Sequence, residues 1–133
     1  METVLFACVH NAGRSQMAAA LFNAIADPSR ATAISAGTRP AAKVHPEVVA
    51  AMAEVGLELS SSRPRVLTRE LASTASLLVT MGCGEDCPFV PGLPVEDWSL
   101  PDPKGQPIAT VREIRERIRG LVTELAARQG WSK

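Results

Sequence analysis

The stretch Thr3-Val4-Leu5-Phe6-Ala7-Cys8-Val9-His10-Asn11-Ala12-Gly13-Arg14-Ser15 decides how this chain reads. Thr3 to Val9 is an apolar run, the pattern of a parallel strand buried on both faces. His10 to Ser15 then form a short loop, and an alanine-rich helical pattern follows it. A loop of this kind turns the backbone N–H groups of Val9, His10, Asn11, Ala12 and Gly13 toward one point, where the helix start adds its own unpaired donors and positive dipole. Arg14 supplies a planar fork of donors that matches a tetrahedral oxyanion. Cys8, at the strand's end, is held in that field as a thiolate nucleophile, with Ser15 placed to donate to it. Gly13 lets the backbone approach an anion, and Asn11 is the residue to hold a left-handed turn. His10 is expected to pack beside the loop or hydrogen-bond within it. The competing reading is a buried structural Cys8 with Arg14 in a surface ion pair.

Outward from this stretch, strands and helices alternate. The first helix is expected over residues 14–26, ended by Asp27-Pro28, and a second strand over residues 31–36, closed by Gly37-Thr38. Pro46 opens a second helix and Gly56 suits its end. A short helix is expected over residues 68–72. A third, nearly continuous apolar strand covers residues 75–81, a Gly- and Pro-rich loop residues 82–94, and a short fourth strand residues 95–98. The last helix is expected to start at a capping box, Thr110 with Glu113, and to line one face with Val111, Ile114, Ile118, Leu121, Val122 and Leu125. Its arginines 112, 115 and 119 read as a solvated face, with Glu113 and Arg117 as a supporting pair. The order predicts an α/β fold, one four-stranded parallel sheet with helices on both faces, as one domain over residues 1–133. In such sheets ligands bind at the carboxyl ends of strands, where Cys8, Thr38, Cys83 and Asp102 all fall.

Composition narrows the function. With 133 residues, 46% hydrophobic and 21% charged, the chain is an ordinary globule. A formal net charge of zero gives no electrostatic footprint for nucleic acid or for a membrane surface. No stretch reads as a secretory signal or a membrane span, which points to the cytoplasm. Three cysteines in such a chain argue for reactive thiols rather than a disulfide frame.

Two further groups carry chemistry. Asp102 lies between Pro101 and Pro103 on a stiffened turn, the fixed placement a general acid needs. Cys83 and Cys87 are four residues apart beside Gly82 and Gly84, a spacing that permits a disulfide and suits thiol relay chemistry. A zinc site, for which only His10 and His45 remain as further ligands, and a pair of idle thiols are the other uses open to them. Ser35 is placed to brace the anion loop from the second strand, and Trp98 to wall the core. No metal or cofactor is expected.

Taken with Ser35-Ala36-Gly37-Thr38, Ser62-Arg63-Pro64, Thr80-Met81-Gly82-Cys83 and Trp98-Ser99-Leu100-Pro101-Asp102-Pro103, the opening motif Cys8 to Ala18 resembles the arsenate reductases built on the low-molecular-weight protein tyrosine phosphatase fold. The resemblance implies that Cys8 attacks arsenate held by Arg14 and the loop amides, with phosphate as a competitor, and that Asp102 protonates the departing oxygen. It implies that Cys83 then attacks Cys8 and releases arsenite, and that Cys87 attacks in turn. The resulting Cys83–Cys87 disulfide would go to thioredoxin, or to a low-molecular-weight thiol with a glutaredoxin-like donor. The Cys-x3-Cys spacing is tighter than in familiar thioredoxin-coupled members, and the chain lacks tyrosine. The alternatives are a low-molecular-weight tyrosine phosphatase, which needs only Cys8, Arg14 and Asp102, and a non-enzymatic oxyanion-binding or redox-sensing module.

Overall fold

The computed structural model describes residues 1–82, 87 and 90–133. Four strands, β1 (Glu2–Cys8), β2 (Ala31–Gly37), β3 (Leu77–Thr80) and β4 (Val95–Asp97), form one sheet in the order β2-β1-β3-β4. Every pairing is parallel: Cys8 lies opposite Gly37, Ala7 opposite Thr80, and Thr80 opposite Asp97. β1 is flanked on both edges, so its apolar residues are buried throughout from Val4 to Cys8. The four strand ends that carry the chemistry thus lie along one edge of the sheet.

The helices are α1 (Arg14–Ile25), α2 (Pro46–Ala53), α3 (Arg69–Ser73) and α4 (Ile108–Gln129). Alternation along β1 assigns them to faces. Val4, Phe6 and Cys8 point into the larger core with Met17, Leu21 and Phe22 of α1, Met52 of α2, and Ile114 and Ile118 of α4. Leu5 and Ala7 point the other way, into a smaller cluster with Leu67, Ala72 of α3 and Leu78, against which Cys87, Val90 and Leu93 pack. Phe6 stands between Phe22 and Trp98, with ring centroids 6.0 and 5.5 Å away, and so ties β1 to α1 and to the chain leaving β4. Trp98 is a buried wall residue, as expected from the sequence.

The helix ends differ from expectation in one respect. The N–H of Leu57 reaches the carbonyl of Met52, and Gly56 takes φ +78°, so Gly56 does close α2 in a left-handed turn. The Thr110–Glu113 capping box does not form. α4 starts earlier, at Ile108, because Pro107 enters with φ −58° and its carbonyl already accepts from Thr110 and Val111. The arginine stripe of α4 is also not simply solvated. Arg115 is buried, donates to the carbonyl of Ala51, and joins Arg112 on the Glu54 carboxylate.

Candidate functional site

The loop between β1 and α1 is held open by its own side chains. Asn11 takes φ +50°, the left-handed turn expected of it. Its carboxamide oxygen accepts from the N–H of Arg65 at 2.9 Å and from Gln16 Nε2 at 3.2 Å, and its nitrogen donates to Ser15 Oγ at 2.8 Å. Ser15 Oγ lies 2.8 Å from Cys8 Sγ. Since Asn11 already donates to that oxygen, the serine proton is left to point at the sulfur. The relay Arg65 N–H to Asn11 to Ser15 to Cys8 therefore ends on a hydroxyl donor aimed at the sulfur. Cys8 is buried, at 2% exposure, and is a free thiol. Among the described residues, none of the backbone N–H groups from Val9 to Gln16 donates a hydrogen bond, so the whole ring of donors is available to an anion.

Two glycines make room for this arrangement. A Cβ on Gly37 would lie 2.5 Å from the carbonyl oxygen of Val9 and 2.8 Å from Asn11 N, so β2 closes against the loop only because that side chain is missing. The loop is then tied to β2's exit by the N–H groups of Thr38 and Arg39, which donate to Cys8 and Val9. That backbone ladder does the bracing expected of Ser35. Ser35 sits opposite Phe6 in the sheet, and among the described residues its hydroxyl makes no bond to the loop. Gly82, at φ +106°, leaves the space filled by the Arg14 guanidinium.

Arg14 donates to the carbonyl of Leu100 at 3.1 Å, and its Nη2 stands 3.8 Å from Asp102 Oδ2. The side chain is 11% exposed, against 43% for Asp102. The other Asp102 oxygen accepts from the N–H of Lys104 at 3.0 Å, so the carboxyl is fixed by its own turn and faces the mouth of the loop. His45 stands beside this turn, and burial holds its imidazole below the usual range against the pull of Glu47 and Asp102. Burial pushes the Glu47 carboxyl up, but the N–H groups of Glu47 itself and of Gly105 outweigh it and leave the group below the ordinary carboxylate range.

The structure thus brings Cys8, Arg14, Ser15 and Asp102 into one cluster floored by Val9, His10, Asn11, Ala12 and Gly13. His10 is half-buried, and no described group accepts from its ring. Cys87 is half-buried in the smaller core and disulfide-bonded, whereas Cys83 lies outside the described residues. Sequence reasoning missed Gln16, Gly37, Gly82 and the backbone of Arg65. The only signal for them was that Gly37 and Gly82 stand directly after strands. Among the described residues no three metal-ligating side chains converge, and no helix is long and apolar enough to cross a membrane.

A buried free thiol at a parallel strand's end, circled by undonated loop amides with an arginine and a carboxyl close by, is an arrangement suited to phosphoryl or arsenyl transfer through cysteine. The family model for low molecular weight phosphotyrosine protein phosphatase matches residues 3–130, and the chain belongs to that family. A putative arsenate reductase of Halobacterium salinarum is 38% identical over 124 residues, covering 90% of this chain and 87% of its own. The structure of a thioredoxin-dependent arsenate reductase of Corynebacterium glutamicum superposes with a TM-score of 0.82 at 40% identity over 96% of this chain. This chain spans 61% of that protein's length. An arsenate reductase of Archaeoglobus fulgidus superposes with a TM-score of 0.79 at 34% identity, covering 93% of this chain and 98% of its own.

Proposed function

We propose that this chain reduces arsenate to arsenite with electrons from its own thiols and is recycled by thioredoxin. Arsenate sits on the amides of residues 9–14 and on Arg14. The Cys8 sulfur bonds to arsenic, and an arsenic oxygen leaves as water with a proton from Asp102. Cys83 then attacks the Cys8 sulfur. The S–As electron pair stays with arsenic, which departs as arsenite, and a Cys8–Cys83 disulfide remains. Cys87 attacks Cys83 and frees Cys8 as a thiolate. The two electrons now missing from the Cys83–Cys87 pair come from a dithiol reductant. The names of the relatives support this substrate and thioredoxin as the donor; a low-molecular-weight thiol with a glutaredoxin-like protein is the alternative. A thiol cycle of this kind requires a reducing compartment, which fits the cytoplasm.

The observation that carries the reading is the redox asymmetry: Cys8 is a free thiol while Cys87 is disulfide-bonded. The chain thus holds a redox-active pair separate from its nucleophile, which is where the oxidation can be stored. A hydrolytic phosphatase needs no such second site, although Cys8, Arg14 and Asp102 would give slow hydrolysis of aryl phosphates. Counting thiols in the reduced protein after one equivalent of arsenate tests the proposal. A loss of two thiols, with the disulfide mapping to residues 83 and 87 and no loss in Cys8→Ser, is the expected result. No loss in the unmodified protein overturns it in favour of a phosphatase.

A further inference from the structure

The chain is neutral overall, yet its charge is unevenly placed. Residues 36–46 and 59–69 together hold Arg39, Lys43, Arg63, Arg65 and Arg69 and not one carboxylate. All five side chains are exposed, and among the described residues none is in an ion pair. The carboxylates that border the two segments are Glu47, which accepts from the N–H of Gly105, Glu58, tied to the N–H of Ser60, and Glu70. The two segments are stitched side by side: Gly37 N–H donates to the carbonyl of Arg65, and Leu67 N–H to that of Gly37. Val66 lies among these cations, 53% exposed. Leu67, with Leu71 and Ala72 of α3, packs in the same cluster as Cys87.

From this we infer that the arc of Arg39, Lys43, Arg63, Arg65 and Arg69 around Val66 docks the acidic face of the dithiol protein that reduces the chain's disulfide. The inference rests on the redox reading above. An acidic protein fits better than nucleic acid, because an apolar residue lies in the middle of the patch and the neighbouring Leu67 shares its apolar cluster with a disulfide-bonded cysteine. Each exposed charge adds little affinity alone, but five of one sign raise the encounter rate of an oppositely charged partner and aim it. Once docked, the partner's two thiols give two electrons and two protons to the disulfide, leaving two thiols here and a disulfide on the partner.

The test reduces chemically oxidised protein without arsenate, so its outcome does not depend on the arsenate step. Rates are measured with an acidic reduced thioredoxin and, separately, with dithiothreitol. In Lys43→Glu/Arg69→Glu the thioredoxin rate falls roughly tenfold or more at low ionic strength and loses most of its salt dependence, while the dithiothreitol rate is unchanged. Arg69→Glu alone gives a smaller shift of the same pattern if the pair folds poorly, and Arg117→Glu on α4 changes neither rate. Equal effects on both reductants, or none on either, overturn the docking surface. So does a variant that slows only arsenate-driven thiol loss, since the arc then serves oxyanion capture. If the unmodified protein loses no thiols to arsenate but the thioredoxin effect is seen, the arsenate reading falls and the docking surface stands.

Discussion

Gly82 and Arg14 share one volume: a β-carbon on Gly82 would lie 2.6 Å from Arg14 Nη1 and 3.3 Å from its central guanidinium carbon. The residues just after β3 thereby set where the Arg14 guanidinium, the proposed oxyanion clamp, can stand. Gly82 also takes φ +106°, a backbone conformation other residues adopt only under strain of about 1–3 kcal/mol. In Gly82→Ala both effects act together. The guanidinium swings off the carbonyl of Leu100, and phosphate or arsenate binding, measured by calorimetry, weakens at least about tenfold, the loss of one charge-assisted contact. Thermal melting drops by only a few degrees, on the order of the strain. Unchanged oxyanion affinity would show that Arg14 reaches its ligand by another path.

The Ser15 hydroxyl accepts from Asn11 and lies 2.8 Å from Cys8 Sγ. A hydrogen bond to a charged group is worth about 1.5–3 kcal/mol, or about ten- to a hundredfold in rate. Ser15→Ala should therefore slow both iodoacetamide alkylation of Cys8 and arsenate-driven thiol loss at neutral pH by that factor. Ser15→Thr, which keeps the hydroxyl, should recover part of it. Alkylation at the unmodified rate would mean that the loop amides alone stabilise the sulfur.

How far these features could be read in advance follows from their range along the chain. The anion loop is local, a run of residues from one strand end to one helix start, and its left-handed Asn11 and its Cys8–Ser15 pair follow from residue type and spacing. That β1 and β2 are parallel follows from the helix between them, whereas the order β2-β1-β3-β4 is set by which strands meet in space. What escaped was set by distant partners. Gln16 and Asn11 meet the backbone at Arg63 and Arg65, about fifty residues on, and nothing in a lone glutamine announces that. Gly37 and Gly82 act through the atoms they lack, which a sequence does not display. Arg115 looked like a surface residue until α2 placed Glu54 and the carbonyl of Ala51 against it.

Asp102 is fixed by the Lys104 N–H on one oxygen and turned toward Arg14 on the other. Its proposed task is proton delivery to a leaving oxygen, an effect of about 10²–10⁴ in rate. Asp102→Asn keeps the turn's acceptor and the size of the side chain, so oxyanion affinity should hold within a few-fold while turnover falls by about that range. The measurement is KM against kcat for arsenate with saturating thioredoxin. If affinity falls and kcat does not, Asp102 acts by positioning Arg14 rather than by moving a proton.

Away from the site, Glu54 joins α2 to α4. Hydrogen bonds first from Arg112 and then from Arg115 outweigh the small cost of burial and hold its carboxyl at about 2, below its ordinary 4.5. A group lowered on folding stabilises the native state above its unfolded value, and that contribution drains away as pH falls toward the folded value. The window for Glu54 therefore runs from 4.5 down to about 2. Asp27, Glu58 and Glu96 are lowered too, so the unmodified protein and Glu54→Gln both melt earlier in acid. The difference between the two melting curves is what reports on Glu54. Glu54→Gln should melt lower near neutral pH, and the gap should close across that window. A gap that stays constant down to the bottom of the window would show that the residue acts through packing and neutral hydrogen bonds, with its charge playing no part.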